Sequence, residues 1–174
     1  MSTDTNIQLD YSSHRRNTLK HHVSVVLDGV SQSANVGGII RTADALGVEK
    51  IYVSTQHNQL SATILKKTSR GLIGKIPSEF GCDTLAVVKH LKAEAYTIVA
   101  VEITNKSKEV SLIDFSPYHR IALIVGAEDG GISPEILQEV DITAHINMLG
   151  YGSSMNVGVA LGIALYHITQ DLQS

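Results

Sequence analysis

Apolar runs and amphipathic segments alternate along the chain from residue 23 onwards. Short runs rich in valine and isoleucine predict buried β-strands. They cover residues 23–27, 51–54, 97–103, 121–125 and 142–148. Segments with apolar residues on one helical face predict α-helices. They cover residues 36–46, a short stretch after 61, 84–93, 134–137 and 156–172. This alternation predicts an α/β fold with a mostly parallel sheet that carries helices on both faces.

Length and composition are those of a single globular domain. The chain has 174 residues, of which 43% are hydrophobic and 18% are charged, so it can bury one full core. Residues 1–22 are polar and predict a tail or a short helix in front of a domain over residues 23–174. No apolar run approaches the ~20 residues that cross a bilayer, and the N-terminus has no apolar signal core. We therefore expect a cytoplasmic protein without a membrane partner.

Charge is distributed unevenly, although the net charge at pH 7 is only −3. Residues 1–75 carry nine Lys and Arg against five Asp and Glu, whereas residues 76–174 carry five against twelve. A basic face of this kind attracts a polyanion while the rest of the surface keeps the protein in solution. Chance clustering on a solvated surface explains the same counts, and both interpretations stay open.

Glycine, asparagine and serine residues are concentrated in three loops that follow apolar strands. These loops are residues 28–38, 126–133 and 147–154. The carboxyl ends of parallel strands lie at one edge of a sheet, and ligands bind there. Glycine lets backbone N–H groups approach a ligand closely, and the helix that follows each loop favours an anionic or carbonyl group at its N-terminus. The three loops are therefore predicted to meet at one ligand site.

Several common catalytic motifs are absent from the sequence. It contains no Gly-x-Gly-x-x-Gly after the first strand, no P-loop, no His-Glu-x-x-His and no Gly-x-Ser-x-Gly. These absences argue against a dinucleotide-binding protein, a P-loop nucleotidase, a zinc protease and an α/β-hydrolase. Cys82 is the only cysteine, which excludes an internal disulfide and a multi-cysteine metal site. Five scattered histidines lack metal-ligand spacing, and we expect surface or packing roles and no metal. They are His57, His90, His119, His145 and His167.

Arg41 lies on the first predicted helix, nearly opposite its apolar face. At 100° per residue, that face consists of Val36, Ile39, Ile40 and Ala43. The guanidinium is thus available to a substrate or to a partner chain. The alternative is a solvated arginine that pairs with an aspartate three positions later.

Residues of the second and third loops also have two interpretations each. Glu128 is either a carboxylate that accepts loop N–H groups and fixes the ligand pocket, or an exposed turn acid. Ser154 and Asn156 flank the start of the last helix, where both residue types are common caps. Gly158 and Gly162 stand four positions apart and permit close packing against a neighbouring element or a second subunit.

The three loops resemble, in order, the three motifs of the SPOUT methyltransferases. The resemblance is to the SpoU/TrmH branch, which methylates ribose 2′-hydroxyls in tRNA or rRNA. The motifs run from Asn35-Val-Gly-Gly-Ile-Ile-Arg41 through Gly126-Ala-Glu-Asp-Gly-Gly131 to Ile146-Asn-Met-Leu-Gly-Tyr-Gly-Ser-Ser-Met-Asn156. The sequence departs from the family pattern at three positions. Asn147 replaces a proline, Met155 a leucine and Gly158 a serine.

The resemblance implies a SPOUT fold with a C-terminal trefoil knot, a rare exception to the rule that chains do not thread loops. It implies that S-adenosylmethionine is held in a bent shape by the loops at 126–131 and 146–155. The implied cofactor-binding residues are Val125, Gly126, Ala127, Glu128, Gly131, Ile146, Met148, Ser154 and Met155. It also implies a homodimer in which Arg41 of one subunit serves the pocket of the other.

The implied activity is methyl transfer to a ribose 2′-hydroxyl of tRNA or rRNA. Arg41 either removes the hydroxyl proton or, because arginine is a poor base, clamps the RNA phosphate and stabilises the alkoxide. The resemblance assigns the orientation of Arg41 and the hydroxyl to Asn35, Ser154 and Asn156, and the bracing of the cofactor loops to Glu128. Structured RNA would be held through phosphates by basic residues. These are Arg15, Arg16, Lys20, Lys66, Lys67 and Arg70.

Two other functions remain as alternatives. The first is an RNA-binding protein that keeps the fold but has lost catalysis. The second is another α/β enzyme, such as a small-molecule hydrolase, which the missing motifs disfavour.

Overall fold

Residues 22–173 and Gln8 are described by the structure, which is a computed structural model. The predicted tail or helix over residues 1–22 therefore lies almost wholly outside the described residues. The strands are β1 Val23–Asp28, β2 Lys50–Val53, β3 Ser78–Phe80, β4 Thr97–Val101, β5 Lys108–Glu109, β6 Ile121–Gly126 and β7 Ile142–His145. The α-helices are α1 Ser33–Ala45, α2 Ala62–Thr68, α3 Thr84–Ala93, α4 Pro134–Leu137 and α5 Val157–Asp171.

The strands form one sheet in the order β3-β2-β1-β6-β4-β7-β5, and every pairing between them is parallel. Asp28 at the end of β1 is the register partner of Gly126 at the end of β6. Val101 at the end of β4 likewise pairs with Ala144 of β7. The carboxyl ends of the four central strands therefore lie side by side, as the sequence predicts.

Helices cover both faces of the sheet, which confirms the predicted fold class. Val25 and Leu27 of β1 belong to a buried cluster that also contains apolar residues of α1, α2 and α5. Val26, between them, belongs to a second buried cluster with residues of α3 and α4. Because successive strand side chains point to opposite faces, a strand that is apolar at every position serves both clusters.

α5 packs against α1 along its small residues. A Cβ atom added at Gly158 would lie 3.6 Å from Ile39 Cγ1, and one added at Gly162 would lie 3.5 Å from Thr42 Cγ2. The close packing that these two glycines predict is therefore made with a neighbouring helix of the same chain. This contact brings the start of the last helix next to the first motif.

Most element bounds agree with the pattern, and the differences have local causes. α1 begins at Ser33, three residues before the predicted start, because none of the residues 33–35 is buried and the apolar face begins only at Val36. β3 and β5 were not predicted, since three and two mainly polar residues show no alternation. β4 and β7 end at Val101 and His145, earlier than the apolar runs, and residues that follow both strands line a cavity. No helix in the described part of the chain is long and apolar enough to span a membrane.

Candidate active site

A cavity of about 440 Å³ opens at the carboxyl edge of the central strands. All nine residues predicted to bind the cofactor line it, and they come from the second and third motifs. Its remaining walls come from the end of β4, the end of β7 and the start of α5. The additional lining residues are Val101, Glu102, Ile103, His145, Asn156, Val157 and Ala160.

Hydrogen bonds between side chains join the three motifs. Asn35, in the first turn of α1, donates from Nδ2 to Oε1 of Glu128 in the loop after β6. Asn156, before α5, donates from Nδ2 to Oδ1 of Asn35 over 2.9 Å. Asn35 is therefore the central member of a Glu128–Asn35–Asn156 network. The structure brings together residues that the sequence separates by up to 121 positions.

Asn156 is at the same time the N-cap of α5. Its Oδ1 accepts hydrogen bonds from the N–H groups of Gly158 and Val159 at 3.0 and 3.3 Å, which satisfies two donors of the first helical turn. The amide thus uses its oxygen for the cap and its nitrogen for the network. The capping role and the site role, which were alternatives in the sequence, are compatible. Ser154 does not cap the helix and instead lies exposed on the cavity wall.

A tight turn shapes the loop after β6. Ala127 and Gly131 exchange two backbone hydrogen bonds, of 3.1 and 2.9 Å. A Cβ atom at Gly126 would lie 2.0 Å from the carbonyl carbon of Gly131, so no larger residue fits this approach. Gly131 itself has a φ of +64°, a conformation that favours glycine. The two glycines of this motif are therefore required by backbone geometry.

Glu128 does not accept the loop N–H groups that one interpretation of the sequence assigned to it. It is exposed, and its hydrogen bond comes from the side chain of Asn35. N–H groups of this loop are accepted instead by Asp28 and by Glu102, whose Oε2 lies 3.1 Å from the backbone nitrogen of Ile132. Glu102 is not among the site residues predicted from the sequence. Its available signal was an acidic residue placed directly after a buried strand at the ligand edge.

Asp28 ties the first loop to the second. Its Oδ2 accepts hydrogen bonds from the backbone nitrogen and from the hydroxyl of Ser133, both over 2.9 Å. The carboxylate thereby fixes the residue before α4. Together with the Asn35 network, this contact holds the loop at 126–133 from both sides.

His145 lines the cavity, although its isolated position in the sequence predicted a surface or packing role. Its Nδ1 lies 3.0 Å from the hydroxyl of Ser107, and its Nε2 lies 3.1 Å from Oδ1 of Asn147. Asn147 also donates from Nδ2 to the carboxylate of Glu109 in β5. The asparagine that replaces the family's proline therefore connects β7 to the edge strand. No group of three metal-ligating residues occurs within the part of the chain that the structure describes.

Arg41 is exposed on α1 and does not line the cavity of its own chain. Val36, Ile39, Ile40 and Ala43 are fully buried, so the guanidinium lies away from the core as predicted. It makes no ion pair or hydrogen bond within residues 22–173, and the expected pairing with the nearby aspartate does not form. It borders a shallow depression. The other residues there are Gly38, Thr42, Ala45, Leu46 and Thr68.

Three of the six predicted RNA-binding residues are described. Lys66 and Lys67 lie in the last turn of α2, and Arg70 follows that helix with a φ of 54°. All three are exposed and form no ion pair with another residue in the range 22–173. The other three, Arg15, Arg16 and Lys20, lie outside the described residues.

The charge of the cavity restricts its ligand. Two carboxylates, Glu102 and Glu128, line it, and no Lys or Arg does so among the described residues. A phosphate-bearing cofactor would meet uncompensated repulsion here, whereas a cationic or neutral ligand would not. Apolar walls from Val125, Ile146 and Val157 suit a flat aromatic group.

Fold and site together define an α/β protein with a pocket of small-molecule size at the strand ends, braced by three motif loops. Residues 22–166 match the model of the SpoU rRNA Methylase family, and the chain belongs to this family. It is similar to the TrmH/SpoU tRNA modifying enzyme of A. aeolicus, at 27% identity and a TM-score of 0.79, over 90% of this chain and 78% of that one. It is also similar to an AdoMet-bound rRNA methyltransferase from Sinorhizobium meliloti, at 28% identity and a TM-score of 0.79, over 91% of this chain and 60% of that one.

A curated relative agrees with these structures. The 23S rRNA (guanosine-2′-O-)-methyltransferase RlmB of Acinetobacter baylyi is 31% identical over 143 residues, which are 82% of this chain and 57% of that protein. The chain thus spans little more than half the length of this relative.

Proposed function

We propose that the protein is an S-adenosylmethionine-dependent RNA methyltransferase that transfers a methyl group to a ribose 2′-hydroxyl of tRNA or rRNA. The observation that carries this proposal is the single cavity at the strand ends, which the Glu128–Asn35–Asn156 network braces across all three motifs. Family membership and the 2′-O activity in the name of the Acinetobacter relative support it.

The cavity fits S-adenosylmethionine by size, shape and charge. A volume of about 440 Å³ is in the usual range for small-molecule pockets. Its apolar walls suit the adenine ring, and the carboxylates of Glu102 and Glu128 complement a cationic ligand. When bound, S-adenosylmethionine supplies a methyl group on a positively charged sulfur. The proposed holding residues are the nine motif residues on the cavity wall.

The chain contributes mainly position and electrostatics to the reaction. Asn156 lines the cavity and is hydrogen-bonded to Asn35, and Ser154 adds an exposed hydroxyl to the cavity wall. We assign to them the orientation of the ribose hydroxyl, since near-attack geometry accounts for much of the rate in direct transfer reactions. Glu128 keeps Asn35 in place through their hydrogen bond. Arg41 clamps the RNA phosphate and stabilises the developing alkoxide, because arginine is a poor base but a good donor to anionic oxygens.

A homodimer would deliver Arg41 to the cavity, which that residue does not reach in its own chain. α5 presents three exposed apolar residues at helical spacing, Val159, Ile163 and Tyr166, which are 53%, 41% and 57% exposed. Such a stripe is typical of a helix that packs against a partner. Arg41 lies on α1, the helix that packs beside α5. A two-fold contact through these helices would bring each guanidinium towards the other subunit.

Structured RNA is the proposed polyanionic partner. Three exposed side chains, Lys66, Lys67 and Arg70, carry positive charge. None of them forms an ion pair with an acidic side chain within residues 22–173. Phosphate contacts of this type fix the position of an RNA without reading its sequence. We also propose that Arg15, Arg16 and Lys20 extend this surface. A cytoplasmic location, a methyltransferase domain over residues 23–174 and the C-terminal trefoil knot belong to the same proposal.

The direct test incubates the purified protein with S-adenosylmethionine labelled in the methyl group and with total tRNA or rRNA. Label should appear in RNA, and mass spectrometry of the nucleosides should find it on the 2′-oxygen of the ribose. An Asn35→Ala variant serves as the negative control, because it removes the centre of the network. Label on a base would contradict the proposed activity, and equal ribose label with the variant would contradict the role assigned to Asn35.

Calorimetry distinguishes the proposed enzyme from an RNA-binding protein of the same fold. The enzyme should bind S-adenosylmethionine with one site per chain, whereas a pure binding protein needs no affinity for it. RNA binding without any uptake of S-adenosylmethionine would favour the second function.

A further inference from the structure

We infer that Glu102 determines cofactor specificity, and that its carboxylate binds the ribose diol of S-adenosylmethionine. This inference rests on the proposed function and extends it to a residue outside the three motifs.

The position of Glu102 in the fold is the first observation that supports it. Glu102 follows the central strand β4, and its backbone nitrogen donates to the carbonyl of Ala144 in β7 over 2.9 Å. Its side chain reaches the opposite loop at Ile132. Glu102 thus spans the base of the cavity.

Two backbone N–H groups hold the carboxylate in a single orientation. Oε1 accepts from the nitrogen of Ile103 over 2.9 Å, and Oε2 accepts from the nitrogen of Ile132 over 3.1 Å. An ionised carboxylate has about four acceptor positions, so each oxygen keeps one for a ligand. Because both bonds come from the backbone, the orientation does not depend on mobile side chains. Such pre-organisation is what a specificity residue requires.

Gly131 makes room for this carboxylate. A Cβ atom at Gly131 would lie 2.5 Å from Oε2 of Glu102, so a side chain there would displace the acid. Within the described residues, Glu102 has no Lys, Arg or His as an ion-pair partner. A half-buried carboxylate without a cation is best satisfied by hydrogen-bond donors from the ligand.

The donors of S-adenosylmethionine differ in how well they match two fixed oxygens. A ribose diol presents two neighbouring hydroxyls, one for each oxygen, whereas the adenine amino group presents a single nitrogen. An acidic residue at the end of a parallel strand binds ribose hydroxyls in the same way in dinucleotide-binding sheets. The ammonium of the methionine part is the remaining candidate, and the experiment below separates it from the diol.

The test measures binding by calorimetry, with S-adenosylhomocysteine as the stable probe and its 2′-deoxy and 3′-deoxy derivatives as competitors for the same site. We expect the wild-type protein to bind each deoxy compound about 10- to 100-fold more weakly than the parent, as expected for hydrogen bonds to a charged acceptor. The Glu102→Gln variant should bind S-adenosylhomocysteine weakly as well. Its affinity for S-adenosylhomocysteine should exceed its affinity for the deoxy derivatives by less than about threefold.

Two further variants control for charge and for folding. Asp129→Asn removes the same charge from an exposed residue of the neighbouring loop that does not line the cavity, and it should keep the wild-type preference. Glu102→Asp keeps the charge but withdraws the carboxylate by one methylene group, and it should lose the preference like Glu102→Gln. This second variant keeps the test decisive if Glu102→Gln unfolds.

The possible results separate the inference from the proposed function. A Glu102 variant that retains the wild-type preference overturns the role of Glu102 while leaving the methyltransferase intact. If Glu102→Gln loses affinity for S-adenosylhomocysteine but not for 5′-methylthioadenosine, then Glu102 contacts the ammonium. That result overturns the assignment of the diol to Glu102. A wild-type protein that binds none of these compounds overturns the proposed function itself.

Discussion

Asn156 donates a hydrogen bond of 2.9 Å from its side-chain amide to the side-chain oxygen of Asn35. The same amide caps α5 through its oxygen, so one side chain supports both the last helix and the first motif. Stability and site geometry are therefore coupled at this residue. Substitutions that keep one of its two bonding groups separate the two contributions.

The first prediction concerns this separation. Asn156→Ala loses the cap and the network, and it should lower the free energy of unfolding by about 0.5–2 kcal/mol and abolish methyl transfer. Asn156→Asp keeps the cap acceptor but cannot donate to Asn35. It should therefore be more stable than Asn156→Ala but equally inactive in methyl transfer. Chemical denaturation and a methyl-transfer assay of both variants measure this. An active Asn156→Asp protein would show that the donor bond to Asn35 is dispensable.

The second prediction concerns the tight turn after β6. Gly126→Ala places a methyl group 2.0 Å from the backbone of Gly131, and it should displace the loop and eliminate S-adenosylmethionine binding. We expect a loss of about 1–3 kcal/mol or more in stability, as for other overpacked sites. Gly130→Ala is the matched control, because no atom lies within 4 Å of its added Cβ. Calorimetry and thermal unfolding should show that Gly126→Ala loses S-adenosylmethionine binding and stability, whereas Gly130→Ala keeps both.

The third prediction tests whether the active site is shared between subunits. Arg41→Ala should prevent methyl transfer without weakening S-adenosylmethionine binding, whereas Ala160→Phe should obstruct the cavity that Ala160 lines. Neither homodimer should be active. After the two variants are unfolded and refolded together, mixed dimers carry one complete site, and about a quarter of the wild-type activity should return. A mixture that stays inactive would place Arg41 in the site of its own chain.

The fourth prediction concerns the basic surface on α2. Replacing Lys66, Lys67 and Arg70 with glutamine should weaken RNA binding and reduce the slope of log affinity against log salt by about 1 per lost phosphate contact. The control replaces Lys89, Lys106 and Lys108, which are exposed residues of the acidic half. Fluorescence anisotropy at several salt concentrations gives both slopes. Equal effects of the two triple variants would indicate that only net charge matters.

The fifth prediction concerns the apolar stripe on α5. Ile163→Glu places a charge at its centre and should convert the proposed dimer to a monomer, because a buried unpaired carboxylate is costly. Ile64→Glu is the matched control, since Ile64 is 45% exposed on α2 and Ile163 is 41% exposed. Light scattering coupled to size-exclusion chromatography measures the mass of each. A dimeric Ile163→Glu protein would exclude the stripe from the interface.

Much of the fold could be predicted because its strong signals are local. The apolar runs of β1 and β6 reflect burial on both faces, and α3 shows a clear amphipathic pattern, so their bounds agree within one residue. The edge strand β5 escaped prediction since its two residues, Lys108 and Glu109, gain their strand conformation only by pairing with β7. Local sequence carries no signal of that pairing.

The candidate site, like the fold, could be predicted only in part from the sequence. The convergence of the three loops could be predicted because each loop follows its strand to the same edge of a parallel sheet. The resemblance to the family implied nine of the residues that line the cavity. The sequence did not reveal Glu102 or His145, since neither belongs to a motif. Their place on the cavity wall depends on β4 and β7 lying next to each other, although 40 residues of chain lie between the two strands.

The sequence by itself determined the layered α/β class and the three loops, because apolar periodicity and glycine placement act over a few neighbouring residues. Only the tertiary structure decided which side chains meet. Strand order sets Glu102 beside Ile132, and the packing of α5 on α1 sets Asn156 beside Asn35. Hydrogen bonds depend on distances of about 3 Å between atoms. Residues distant in the chain reach such distances only when the whole sheet and its helices have folded.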